Sequence, residues 1–130
     1  MRPIRVLLVG ADSDEREADA ALVRGIPGVE LVGTAGDSAR ALKQTSRRHP
    51  DVVVMNLMMP HRSGLQIGAQ LKRRPGSPRI VLVSLGDVPA YAEAAREFGI
   101  DAVVARGKLD RALPGVLSRL FPGRVAGSGS

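Results

Sequence analysis

Five short apolar runs, each followed by a stretch of helical periodicity, constrain this chain more than any other feature. They are Ile4 to Val9, Val29 to Val32, Val52 to Met55, Ile80 to Val83 and Ala102 to Val104. All are continuous and rich in branched residues, which predicts strands buried on both faces. Between and after them, apolar residues recur at helical spacing: Ala18, Ala21 and Leu22; Ala39 and Leu42; Leu65, Ala69 and Leu71; Tyr91, Ala94, Ala95 and Phe98; Leu109, Leu113, Val116, Leu117 and Leu120. A βα unit repeated five times needs parallel strands with right-handed crossovers, giving a three-layer α/β sandwich. Ligands of such sheets gather at the carboxyl ends of the strands, where the strand order reverses.

Local punctuation agrees with this alternation. Ser13 or Asp14, Asp37 or Ser38, and Ser63 are suited to cap helix starts, while Gly25, Gly76 and Gly99 are suited to close helix ends. Leu113-Pro114-Gly115 places two helix breakers in the last periodic segment, so the fifth helix is expected to begin late or kink there. The segment 122–130, ending Ala-Gly-Ser-Gly-Ser, has linker composition and is expected to be a disordered linker or tail after one domain at 1–121.

Composition narrows the function classes. With 130 residues, 44% of them hydrophobic, the chain suits one domain with a real core. It has no cysteine, so neither disulfides nor thiolate metal sites are available. The first apolar run is too short to span a membrane and no small-residue cleavage site follows it, so a cytoplasmic location without membrane attachment is expected. A net charge of +6 favours acidic partners or nucleic acid at long range, whereas 2% aromatics leave few rings on which bases could stack.

The most specific segment is Pro50-Asp51-Val52-Val53-Val54-Met55-Asn56-Leu57-Met58-Met59-Pro60-His61-Arg62-Ser63-Gly64. It resembles the third-strand signature of response-regulator receiver domains: an apolar run, an acceptor Asp, Leu, two residues, Pro, three residues and Gly. Ile80 to Ser84 and Ala94 to Arg106 are similar to the family's fourth and fifth strand regions, and the resemblance covers roughly Ile4 to Leu120. It implies a flavodoxin-like (βα)5 doubly wound sandwich with five parallel strands in the order 2-1-3-4-5. In receivers an aspartate takes a phosphoryl group, Mg²⁺ is held by an acidic pair, and a lysine and a hydroxyl hold the product. Residue by residue, the acceptor position carries Asn56, the acidic-pair positions Gly10 and Ala11, the lysine position Arg106 and the aromatic switch position Val103. Ser84 retains the hydroxyl.

The implied protein is a phosphorylation-independent pseudo-receiver that acts in signal transduction or transcriptional regulation, with no catalytic residue, metal or cofactor. Its partner would be another protein or a second copy, meeting the face of helix four, strand five and helix five. Two alternatives stand beside it. Val23 to Asp37 resembles the second-strand region of receivers joined to helix-turn-helix output domains, which would bring DNA binding only through a domain outside these residues. A small-molecule sensor would instead use Ser84, Asn56 and Arg106 as polar contacts in the vacated pocket.

Other features have plainer readings. Asp12 or Asp14 is expected to be an exposed cap of helix one rather than Asp12 a surviving metal ligand, although Arg106 could pair with Asp12 across the pocket. Gly10-Ala11-Asp12-Ser13 lacks the further glycines or lysine of a nucleotide-binding turn. Arg47-Arg48-His49 and Lys72-Arg73-Arg74 fall at expected helix C-termini, where cations meet the helix dipole. His49 and His61 lack a third ligand or nucleophile nearby, and Ser84 lacks a nucleophile elbow.

Overall fold

The computed structural model describes residues 2–86 and 88–124. The elements alternate as the apolar runs require: β1 (Ile4–Val9), α1 (Ser13–Arg24), β2 (Val29–Ala35), α2 (Ser38–Arg48), β3 (Val52–Asn56), α3 (Gly64–Lys72), β4 (Arg79–Ser84), α4 (Val88–Glu97), β5 (Ala102–Ala105), a 3-10 turn (Arg106–Lys108) and α5 (Leu109–Leu120). The five strands pair in parallel in the order β2-β1-β3-β4-β5, the flavodoxin-like arrangement.

Alternate side chains of the central strands feed two separate cores, as the period of two in a strand dictates. Ile4, Val6, Leu8, Val52, Val54, Val81, Val83 and Val104 pack with Ala20 and Val23 of α1 and with Leu113, Val116 and Leu117 of α5. Leu7, Val9, Val53, Met55, Ile80 and Leu82 pack on the opposite face with Ala41 of α2, Ile67 and Leu71 of α3 and Ala95 of α4. Only the three central strands match the expectation of burial on both faces. β2 and β5 are the sheet edges, and both are largely half-buried.

Helix ends follow the local chemistry. Of the candidates at the start of α1, Asp12 is the cap, as its reading as an exposed helix cap expected, and Ser13 and Asp14 fall inside the helix; Asp12 accepts the Glu15 N–H at 2.8 Å. Asp37 caps α2, and Ser63 with Gln66 forms a reciprocal capping box on α3. The basic clusters do lie at the C-terminal ends of α2 and α3. α5 does not begin late: it starts at Leu109 and carries Pro114 inside it. Burial of Leu109, Leu113, Val116 and Leu117 on one face outweighs the hydrogen bond the proline removes.

At Gly64 the fold requires glycine. A Cβ there would lie 2.6 Å from the Asn56 carbonyl oxygen and 3.0 Å from Leu57 Cα. Gly64→Ala is expected to cost about 1–3 kcal/mol through overpacking against backbone. An unchanged denaturation midpoint would count against that close approach.

The chain is anchored beyond α5. Arg124 donates to the Pro3 carbonyl at 2.7 Å and to Asp51 at 2.8 Å, and its guanidinium lies 5.3 Å from the Phe121 ring centroid. The remainder of the expected linker, 125–130, lies outside the described residues.

Burial pushes the Asp51 carboxyl up, but the Arg5 N–H and Arg124 together hold it below its ordinary 3.8. A depressed folded value contributes stability that is complete above the unfolded value and is lost as pH falls through the folded one. The stability gap between the native chain and Asp51→Asn should therefore be constant at neutral pH and shrink below about pH 4. Urea midpoints across acid pH would read it.

Candidate functional site

Strand order reverses between β1 and β3, and their following helices, α1 and α3, cover opposite faces of the sheet. Val9 pairs with Met55, so the next residues, Gly10 and Asn56, emerge side by side at the carboxyl end. This is where sheets of this kind hold ligands.

Asn56 is half-buried and bridges two charged groups. Its Nδ2 donates to Glu15 Oε1 at 3.0 Å, and its Oδ1 accepts from Arg106 Nη2. Arg106 enters from the 3-10 turn after β5. Its Nη1 donates to both Asp19 carboxylate oxygens, at 2.7 and 2.8 Å, and its Nη2 lies 3.3 Å from Glu15 Oε1. The cation is thus surrounded by two carboxylates and one amide oxygen. The Asp19 side chain is 11% exposed and that of Arg106 21%, so the pair is shielded from water on most sides.

An amide suits this position better than any acid would. Asn offers a donor toward Glu15 and an acceptor toward Arg106 at once, which an ionised carboxylate cannot do. Gly10 makes room for it, because a Cβ at residue 10 would sit 2.9 Å from Asn56 Nδ2. The Gly10 carbonyl in turn accepts from Arg16 Nη1 at 2.6 Å.

The remaining expected site residues are only partly gathered here. Ser84 lines the same cavity, of about 210 Å³, with Glu15, Asn56, Met58, Val83, Leu85 and Arg106. Its hydroxyl donates to the Gly86 carbonyl at 3.1 Å. Ala11 and Asp12 are exposed, and Val103 lies away, lining a cleft between α4 and α5 with Ala92, Arg96 and Arg119.

The expected Arg106–Asp12 pair does not form. Asp12 is committed to capping α1, whereas Asp19, about two turns further on, points inward beside Ala20. Glu15 and Asp19 are the residues the sequence reading missed. Their signal was present as two acids four apart on one face of α1, the second beside core positions Ala20 and Val23.

Residues 6–113 match the response regulator receiver domain family. The chain belongs to that family. It is 36% identical over 83% of its length to protein-glutamate methylesterase/protein-glutamine glutaminase 5 of Anaeromyxobacter dehalogenans, and covers 30% of that protein. It thus spans under a third of the length of this curated relative. Among solved structures, a two-component response regulator of the LuxR family from Aurantimonas sp. SI85-9A1 is 26% identical, with a TM-score of 0.85 and coverage of 95% of this chain and 88% of that one. The receiver domain of NarL from Mycobacterium tuberculosis shares the fold at a TM-score of 0.84, with 24% identity and coverage of 95% and 99%. This receiver domain accordingly takes part in two-component signalling, and no described helix is long and apolar enough to cross a membrane.

Proposed function

We propose that this receiver domain signals without phosphorylation, by presenting one fixed conformation to a protein partner. The observation that carries the reading is the bridging amide of Asn56, held by Glu15 on one side and Arg106 on the other. An amide is a far poorer nucleophile than a carboxylate, and attack by it could not give an acyl phosphate.

The donor set is equally ill-suited to the Mg²⁺ on which the family's chemistry depends. Gly10 and Ala11 offer no side-chain oxygen. The nearby oxygens of Glu15, Asp19 and Asn56 face the Arg106 guanidinium, and no described group of three acids or histidines could hold a metal ion. Arg106 supplies in place the positive charge that a metal ion or a lysine would otherwise bring to these oxygens. The cavity of about 210 Å³ is below the ~300–1,000 Å³ of clefts that enclose drug-sized ligands, so a sensor role draws no support from it.

The test is direct. With acetyl phosphate or beryllofluoride and Mg²⁺ added, amide NMR resonances near Asn56 are expected to stay in place. Saturable shifts clustered there would overturn the proposal. A second reading, that the domain regulates an attached DNA-binding output domain, draws on the resemblance of Val23 to Asp37 to the second-strand region of receivers joined to helix-turn-helix domains. A DNA-binding domain encoded downstream of residue 130 in the same gene would support it.

A further inference from the structure

A second site lies on the other side of α1, at the open edge of the sheet. One face of α2 carries Arg40, Lys43, Gln44 and Arg47, spaced i, i+3, i+4 and i+7 and therefore aligned. Together with Thr34 near the end of β2, Gly36 just after it, and Arg16 reaching across from α1, they line a cleft of about 260 Å³. Four cations share this small volume, and no carboxylate or aromatic ring lines it.

Within the described chain that charge is neutralised at one position at most. Arg40 has a loose, exposed contact with Asp37 at 3.8 Å. Among the described residues no acid pairs with Arg16, Lys43 or Arg47. Arg40 also sits in the first turn of α2, where the helix dipole disfavours a cation. Like charges gathered against their own preference point to an anion that they serve.

The cleft is also preformed. The Arg16 guanidinium is fixed by the Gly10 carbonyl at 2.6 Å, and lies where a Cβ on Gly36 would approach its Nη1 to 3.1 Å. From Arg40 to Arg47 the cations run about 10 Å along the helix. That is a line of charge rather than a point.

We propose that this cleft binds an oligophosphate, a short chain of linked phosphates lying along α2 with the fixed Arg16 guanidinium opposite. Forked guanidinium donors suit successive phosphate oxygens. With no ring or apolar wall to receive a base, the triphosphate group alone supplies the binding, so inorganic tripolyphosphate and ATP bind alike. Duplex DNA is the competing polyanion, disfavoured because the cations converge on a small recess instead of spreading over a surface.

The experiment titrates the whole chain with tripolyphosphate, ATP and a short DNA duplex at low salt, by calorimetry and amide NMR. Tripolyphosphate is expected to shift Thr34, Gly36 and residues 40–47 saturably. Lys43→Gln with Arg47→Gln should weaken it about tenfold or more, the loss expected when charge-assisted hydrogen bonds are removed. Arg73→Gln with Arg96→Gln makes the same change in net charge away from the cleft and should leave binding nearly intact. Equal weakening by both pairs would reduce the effect to net charge and sink the proposal. So would duplex DNA shifting these residues while tripolyphosphate leaves them unmoved. Unchanged melting temperatures of both pairs confirm that folding is not the cause.

Discussion

Arg106→Met is expected to lower stability by about 3–5 kcal/mol at neutral pH, the cost of leaving buried charge without its partner. Asp19 receives both of its Arg106 hydrogen bonds from one nitrogen, and no other cation lies within ion-pair distance of it among the described residues. The methionine fills similar volume, so the loss reports charge rather than packing. Adding Asp19→Asn should recover a good part of it, since the uncompensated carboxylate is then gone. Urea unfolding of the single and double variants measures this. Additive losses would mean that the two side chains do not act as a pair.

Asn56→Asp should behave unlike a repair. It replaces the donor that faces Glu15 Oε1 at 3.0 Å with a second carboxylate, and leaves one guanidinium among three acids. A loss of about 2 kcal/mol is expected from the broken charge-assisted hydrogen bond and the new repulsion. Glu15→Gln in the same chain should restore most of it. Incubated with acetyl phosphate and Mg²⁺, the single variant should remain unlabelled, because residues 10 and 11 still lack carboxylates. Labelling is expected only when Gly10→Asp and Ala11→Asp are added. Strong labelling of Asn56→Asp alone would show that the metal site has been misplaced.

The amino-acid sequence by itself determined the architecture. Strand runs such as Val52 to Met55 and the capping residues Asp37 and Ser63 act over a few neighbours, and their periodicities are local properties of the chain. The motif around Asn56 fixed where along the chain the site would lie, and Val9 and Met55, once paired, brought Gly10 beside it. What fills the space around Asn56 was settled only in three dimensions. Asp12, nearest in sequence to the lost acidic pair, is turned away by helix capping, while Asp19 and Arg106, 87 residues apart, meet across the sheet. Local rules also overstated the effect of Pro114, whose lost hydrogen bond is outweighed by the buried face of α5. Likewise Arg47, which reads from its neighbours as a helix-end charge, faces Arg16 of a different helix across one cleft. Backbone pattern is written in short-range spacing, whereas the pairing of charges depends on which helix faces cross the sheet, and only the folded chain decides that.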